Sequence, residues 1–255
     1  YYSGNGGDYS IAICNDIQNN VYISGSTGST NNIATQGSFV STSYTYYNGN
    51  GFITKFNSNG QRIWGTFYGG EGFDEIRTIE LDNDENLIIA GRTRSLNGIS
   101  TNDAYLLNNP NSSFYSLGFF SKFSPNGDRI YGSYFRGEID YTSVDSNNDI
   151  YFSGQYYESP EYTNITTLNA HQTQCYMRDI FVVKFNSNFN LEWCTYYGGN
   201  EYTSSFGNSD RVTGIGTDNS NNIYLIGTTS SNNNIATPGS FKESQAVGSV
   251  DAFIV

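Results

Sequence analysis

Asp218-Asn219-Ser220-Asn221-Asn222-Ile223-Tyr224-Leu225-Ile226-Gly227 decides the fold, because its pattern recurs four times. Its counterparts end in Asn20-Val21-Tyr22-Ile23-Ser24-Gly25, Asn86-Leu87-Ile88-Ile89-Ala90-Gly91 and Asp149-Ile150-Tyr151-Phe152-Ser153-Gly154. An aspartate stands five residues before each leading aliphatic: Asp16, Asp82, Asp145 and Asp218. Working outward, aromatic-glycine segments recur at Tyr1-Tyr2-Ser3-Gly4, Phe67-Tyr68-Gly69-Gly70, Tyr134-Phe135-Arg136-Gly137 and Tyr196-Tyr197-Gly198-Gly199, at spacings of 66, 67 and 62 residues. A third segment closes on Lys55-Phe56, Lys122-Phe123 and Lys184-Phe185, and eight residues later stand Trp64, Tyr131 and Trp193. Repeats at such a period signal tandem architecture.

Each unit reads as four short strands: one running into the aspartate (Ser10–Cys14 in the first unit), one of the Val-Tyr-Ile kind, one ending in Lys-Phe, and one carrying Trp or Tyr. Aliphatic and aromatic residues fill them, bounded by Asn, Gly, Ser and Asp. Asp82-Asn83-Asp84-Glu85-Asn86 and Asn57-Ser58-Asn59-Gly60 are hairpin-turn sequences, since short Asx side chains bond nearby N–H groups and tolerate positive φ. No segment carries a long helical period. The expectation is an all-β chain: a β-propeller of four-stranded antiparallel blades, with units at about 1–66, 67–133, 134–195 and 196–255 forming a single propeller domain or fragment. A β-helix is the alternative, but its coils are shorter and lack hairpin turns. Aligned to Lys184-Phe185, the segment Asp251–Val255 belongs to a third strand, so the chain is expected to be part of a longer protein and a larger ring. The long connections between strands two and three, Asn31–Phe39 and Asn233–Phe241, are expected to project from one rim. The third unit is short at its start, and the fourth carries an insert around Glu201–Phe206.

Composition excludes several classes. Aromatics make up 16% of the 255 residues (22 Tyr, 17 Phe, 2 Trp), too many for a disordered chain, whereas apolar residues make up only 36%. Rings must therefore supply much of the core. The net charge of −12 lacks the basic footprint of a nucleic-acid binder and disfavours anionic membranes. There is no apolar run long enough for a transmembrane helix. The sequence opens on Tyr1 without Met, so the missing signal peptide says nothing of compartment.

Ile235–Phe241, Asp251–Val255, Trp193–Gly199 and Asp218–Gly227 together resemble the bacterial SBBP β-propeller repeat, and the resemblance covers essentially the whole chain. It implies a large secreted or surface-attached multidomain protein of a Bacteroidetes-type bacterium, often with a sorting domain for type IX secretion. It carries over no catalytic residue. The third unit departs from the pattern, with Ile165–Ala170 replacing Ile-Ala-Thr-Pro-Gly-Ser.

Candidate chemistry is sparse. Asp82, Asp84, Asp145 and Asp149 superficially resemble calcium loops, yet lack the sixth-position Gly and twelfth-position Glu of an EF-hand. Their repetition favours Asx turns, so no cofactor is expected, a structural calcium being the alternative. Asp8, Asp74 and Asp210 each stand eight residues before a turn aspartate. Paired carboxylates cleave glycosides, but repetition favours a structural hydrogen bond. The lone His171 lies four residues from Cys175 with nothing else to build a triad or zinc site. Tyr2–Gly7 lacks the Lys and helix of a phosphate loop. Cys175 and Cys194 meet only if their segment forms a hairpin, and the simple register does not place them opposite; three small apolar residues is the plainer reading. Tyr44, Tyr46, Tyr47, Tyr156 and Tyr157 are read as exposed rim residues able to stack on a sugar or a protein. The expected function is a non-catalytic extracellular scaffold or recognition module, acting in adhesion through rim loops on a protein or surface glycan, beside neighbouring domains of the same chain. The alternative is a polysaccharide-active enzyme or a lectin.

Overall fold

Asx turns and β-branched or aromatic runs alternate along the whole chain, and the folded protein follows them. The computed structural model describes residues 1–43, 49–110, 116–157, 164–176, 178–199, 210–244 and 250–255. Fifteen strands form four separate antiparallel sheets, with no helix among the described residues. The chain divides into two compact units, Tyr1–Ile139 and Asp140–Val255.

In the first unit, β1 (Asp8–Asn15), β2 (Val21–Thr27), β3 (Asn50–Phe56) and β4 (Arg62–Tyr68) pair in chain order. β5 (Asp74–Leu81), β6 (Leu87–Thr93), β7 (Leu117–Phe123) and β8 (Arg129–Phe135) repeat that meander. The two sheets pack by rings. Tyr68 at the end of β4 stacks on Phe119 of β7, centroids 4.8 Å apart, and its hydroxyl meets Ser121 Oγ at 2.6 Å. The Trp64 indole N–H donates to the Pro125 carbonyl at 3.0 Å. These rings are buried, as the low aliphatic content requires.

In the second unit, β9 (Glu138–Val144, beginning on the last two residues of the first unit), β10 (Ile150–Tyr157), β11 (Arg178–Phe185) and β12 (Leu191–Tyr197) form a four-stranded sheet. β13 (Arg211–Thr217), β14 (Ile223–Thr229) and β15 (Asp251–Ile254) form a three-stranded one. Tyr197 at the end of β12 packs on Phe253 of β15 at 5.3 Å, the same fourth-strand-to-third-strand contact that Tyr68 makes. Ile180, Val182, Val212 and Leu225 complete that core.

First hairpins share one irregularity. The register slips between Ser10 and Ala12, Ile76 and Thr78, and Val212 and Gly214. Opposite each slip sits a glycine of the second strand, Gly25, Gly91 or Gly227. A Cβ on Gly25 would lie 1.8 Å from the Tyr9 carbonyl oxygen, and one on Gly91 would lie 2.0 Å from that of Glu75. Glycine is needed there because the bulge drives backbone onto backbone.

Candidate functional site

The repeated turn aspartates sit at the first corner of each β-hairpin and cap it. Asp16 Oδ1 accepts the Gln18 and Asn20 N–H groups at 3.1 and 2.7 Å. Asp82 accepts those of Asp84 and Asn86 at 3.0 and 2.8 Å. Asp145 accepts those of Asn147 and Asp149 at 2.8 and 3.0 Å, and Asp218 those of Ser220 and Asn222 at 2.9 and 2.8 Å. The fourth turn residue, Asn19, Glu85, Asn148 or Asn221, has φ between 61° and 64°. Asn suits that left-handed conformation, whereas Glu85 bears some strain.

The remaining carboxylate oxygen faces the sheet. Asp16 Oδ2 lies 3.2 Å from Lys55 Nζ, and Asp82 Oδ2 lies 2.6 Å from Lys122 Nζ. Tyrosine hydroxyls donate to the same oxygen from Tyr22 (3.3 Å), Tyr151 (3.0 Å) and Tyr224 (3.1 Å). In the third repeat the lysine reaches elsewhere: Lys184 Nζ is 2.7 Å from Asp149 and 2.9 Å from Glu192. Burial pushes the Asp16 carboxyl up, but the Asn20 amide and N–H and the Lys55 ammonium outweigh it and hold the group below its ordinary range.

An Asp–Tyr–Lys cluster resembles acid–base machinery, yet here each member is engaged with its own hairpin. For Asp82 and Asp149, two of the four residues read as calcium candidates, the neighbouring cation is a lysine ammonium. Asp145 caps its turn and accepts from Tyr151, while Asp84 offers its backbone N–H to Asp82. Among the described residues no group of three or more His, Cys, Asp or Glu side chains is placed to hold a metal ion.

The second aspartate series lies at the start of β1, β5 and β13. Asp74 accepts Thr93 Oγ1 at 2.5 Å, Ser95 Oγ at 2.8 Å and the Gly70 N–H at 3.0 Å. Asp210 accepts Thr229 Oγ1 at 2.5 Å, Ser231 Oγ at 3.0 Å and the Gly199 N–H at 2.8 Å. Asp8 accepts Thr27 Oγ1, Ser29 Oγ and the Gly4 N–H in the same way. Each carboxylate thus ties the aromatic-glycine segment to the end of the second strand. Burial pushes the Asp74 carboxyl up to about 6, against the hydroxyls of Thr93 and Ser95 and the Gly70 N–H. The sequence reading missed the partners, although Thr27-Gly28-Ser29, Thr93-Arg94-Ser95 and Thr229-Ser230-Ser231 recur directly after the second strand. The third repeat lacks both halves: Gly137 stands eight residues before Asp145, and Tyr156-Tyr157-Glu158 replaces Thr-x-Ser.

That replacement corrects one rim candidate. Tyr156 is only 4% exposed, and its ring lies 5.0 Å from that of Tyr196. A ring where other repeats place a small residue fills the interior instead of the rim. Tyr157 is described only in its β10 backbone, and Tyr44, Tyr46, Tyr47 and the Glu201–Phe206 insert lie outside the described residues. His171 is exposed and stacks on Tyr197 at 6.0 Å. None of the three cysteines is in a disulfide; burial pushes Cys14 up to about 12 and raises Cys194 as well. Such thiols are poor nucleophiles.

Connections between strands two and three are less free than their length implies. Ile33 and Ile99 are fully buried. The Thr35 N–H donates to the Gly65 carbonyl at 2.8 Å, Thr101 to Gly132 at 2.9 Å and Thr167 to Cys194 at 2.9 Å. The first half of these three connections is therefore laced along the fourth strand. In the last sheet the corresponding connection borders a cavity of about 500 Å³, whose lining includes Ile235, Thr237, Phe241, Phe253 and Val255.

No family model matches the chain, and no curated protein matches it. Among solved structures it is similar to a protein of unknown function from Bacteroides caccae, at 9% identity and a TM-score of 0.32, over 73% of this chain and 66% of that one. The chain spans just under two thirds of that protein's length.

Proposed function

We propose that this chain is a non-catalytic module of an extracellular β-propeller of the SBBP-repeat kind. It is a scaffold within a larger secreted or surface protein, and its remaining loop tips engage a protein or a surface glycan. One observation carries the reading: the side chains best suited to chemistry recur in the same bonds, repeat after repeat. Asp8, Asp74 and Asp210 each hold a Thr, a Ser and a Gly N–H, and Asp16, Asp82, Asp145 and Asp218 each cap a turn. Catalytic sites are singular, whereas scaffolding groups repeat with the fold. The propeller reading is supported by the contact made once in each unit, Tyr68 on Phe119 and Tyr197 on Phe253, which packs a fourth strand on a neighbouring third. The net charge of −12 favours neutral glycans or protein surfaces over polyanions.

The test is a panel of neutral and acidic polysaccharides and bacterial surface proteins, assayed with the purified chain both for binding and for release of reducing ends. Saturable binding without turnover is expected. Reducing ends released in proportion to protein would replace the scaffold with an enzyme.

A further inference from the structure

Of the Asn-Gly pairs in the sequence, five lie wholly within the described residues: Asn5-Gly6, Asn50-Gly51, Asn59-Gly60, Asn97-Gly98 and Asn126-Gly127. Asparagine is a thermolabile side chain. Before glycine its amide carbon is open to the next backbone nitrogen, because no side chain stands in the way. The fold shields four of the five. The Gly6 N–H donates to Ser29 Oγ at 2.8 Å, and the Asn5 amide donates to Thr30 Oγ1 at 3.0 Å. Asn50 and Gly51 are buried in β3. In the two tight turns the Gly60 N–H donates to the Asn57 carbonyl at 2.9 Å, and the Gly127 N–H donates to that of Ser124 at 3.0 Å. The Trp64 ring also covers Gly127, where a Cβ would lie 3.0 Å from it.

Asn97-Gly98, in the connection between β6 and β7, has none of this cover. Both residues are exposed. Among the described residues the Gly98 N–H has no acceptor, and the Asn97 amide has no hydrogen-bond partner. What surrounds the pair is fixed. Ser95 and Ile99 on either side are fully buried, and the Gly98 carbonyl accepts Arg129 Nη1 at 2.9 Å. The Asn97 carbonyl lies over Gly70, where a Cβ would meet it at 2.3 Å.

We propose that Asn97 is a self-modification site, converting to aspartate and isoaspartate ahead of the other four asparagines. Solvent takes the proton from the Gly98 nitrogen. That nitrogen bonds to Asn97 Cγ, the Cγ–Nδ2 bond breaks, and Nδ2 takes up a proton and leaves as ammonia. Water then opens the cyclic imide at either carbonyl. The net reaction consumes one water and releases one ammonia, with no oxidant or reductant. Either product puts a negative charge beside Gly70, whose N–H is bonded to Asp74. Isoaspartate also inserts a carbon into the backbone next to the Arg129 bond and the buried Ile99.

The test is incubation of the purified chain in warm, mildly alkaline buffer, folded and in concentrated urea, followed by peptide mapping with mass spectrometry. In the folded chain Asn97 is expected to convert about three- to tenfold faster than Asn5, Asn59 or Asn126, the margin that one net hydrogen bond supplies. Asn50 is expected to be the slowest. In urea the five rates are expected to converge, since glycine follows each asparagine. Conversion at Asn97 no faster than at any of the other four, or a ranking that survives unchanged in urea, would each overturn the proposal.

Discussion

Asp74, at the start of β5, accepts three hydrogen bonds. It is buried against two hydroxyls and a glycine N–H, and its carboxyl is raised to about 6. An aspartate in the unfolded chain titrates near about 3.9. The folded protein therefore binds this proton more tightly between those values, and stability falls as pH rises through that window, by about 3 kcal/mol in all. Asp16 has the opposite sign: its carboxyl is lowered, so its contribution is present above the unfolded value and is lost only as pH falls through the lower folded one. From pH 7 to 4.5 the urea midpoint of the wild type is expected to rise relative to Asp74→Asn. Parallel midpoints would mean that the Asp74 carboxyl carries no such burial penalty. The chain's own alignment located Asp74, but its Thr and Ser partners lie about 20 residues away and meet it only once the first hairpin and its bulge form. The same limit misplaced Tyr156. Its sequence neighbourhood looks like a polar rim, yet Tyr156 stands where other repeats place the threonine of Thr-x-Ser, and its ring packs against Tyr196.

At the scale of the element, the unit of stability is a hairpin capped by aspartate and joined to the third strand by lysine. Asp82 binds its own turn and Lys122, which approaches from β7 at 2.6 Å. Both are largely buried, so Asp82→Ala removes the cap and leaves an ammonium unpaired. A loss of about 3–5 kcal/mol is expected. In the Lys122→Met background the same change should cost distinctly less, and equal costs in a double-mutant cycle would show that the pair is uncoupled. Strands and turns were legible because hairpin chemistry is local: Asp, Asn and Gly at fixed offsets between apolar runs suffice. The lysine pairing was not, because Lys122 stands 40 residues beyond Asp82 and meets it only through the register of the whole sheet. Repeat three makes the point: its lysine is kept but turns to Asp149 and Glu192.

Over the whole molecule, the period of 62–67 residues becomes four sheets, and rings stand in for the missing aliphatics. Tyr68 on Phe119 and Tyr197 on Phe253 pack one sheet on the next within each unit. That much was readable, since the aromatic-glycine segments recur on schedule. The long connections were read as display loops because length and polarity carry no sign of the Thr35-type clamp that ties them down. The central claim is that the repeated carboxylates hold the sheets together and do not act on a substrate. The most direct measurement is urea unfolding of Asp8→Ala, Asp74→Ala, Asp210→Ala and Asp218→Ala beside the wild type. The largest losses, about 2–4 kcal/mol, are expected at the buried Asp74 and Asp210, and smaller ones at the half-buried Asp8 and Asp218. Asp74→Ala and Asp210→Ala proteins that unfold at the wild-type midpoint would contradict the central claim.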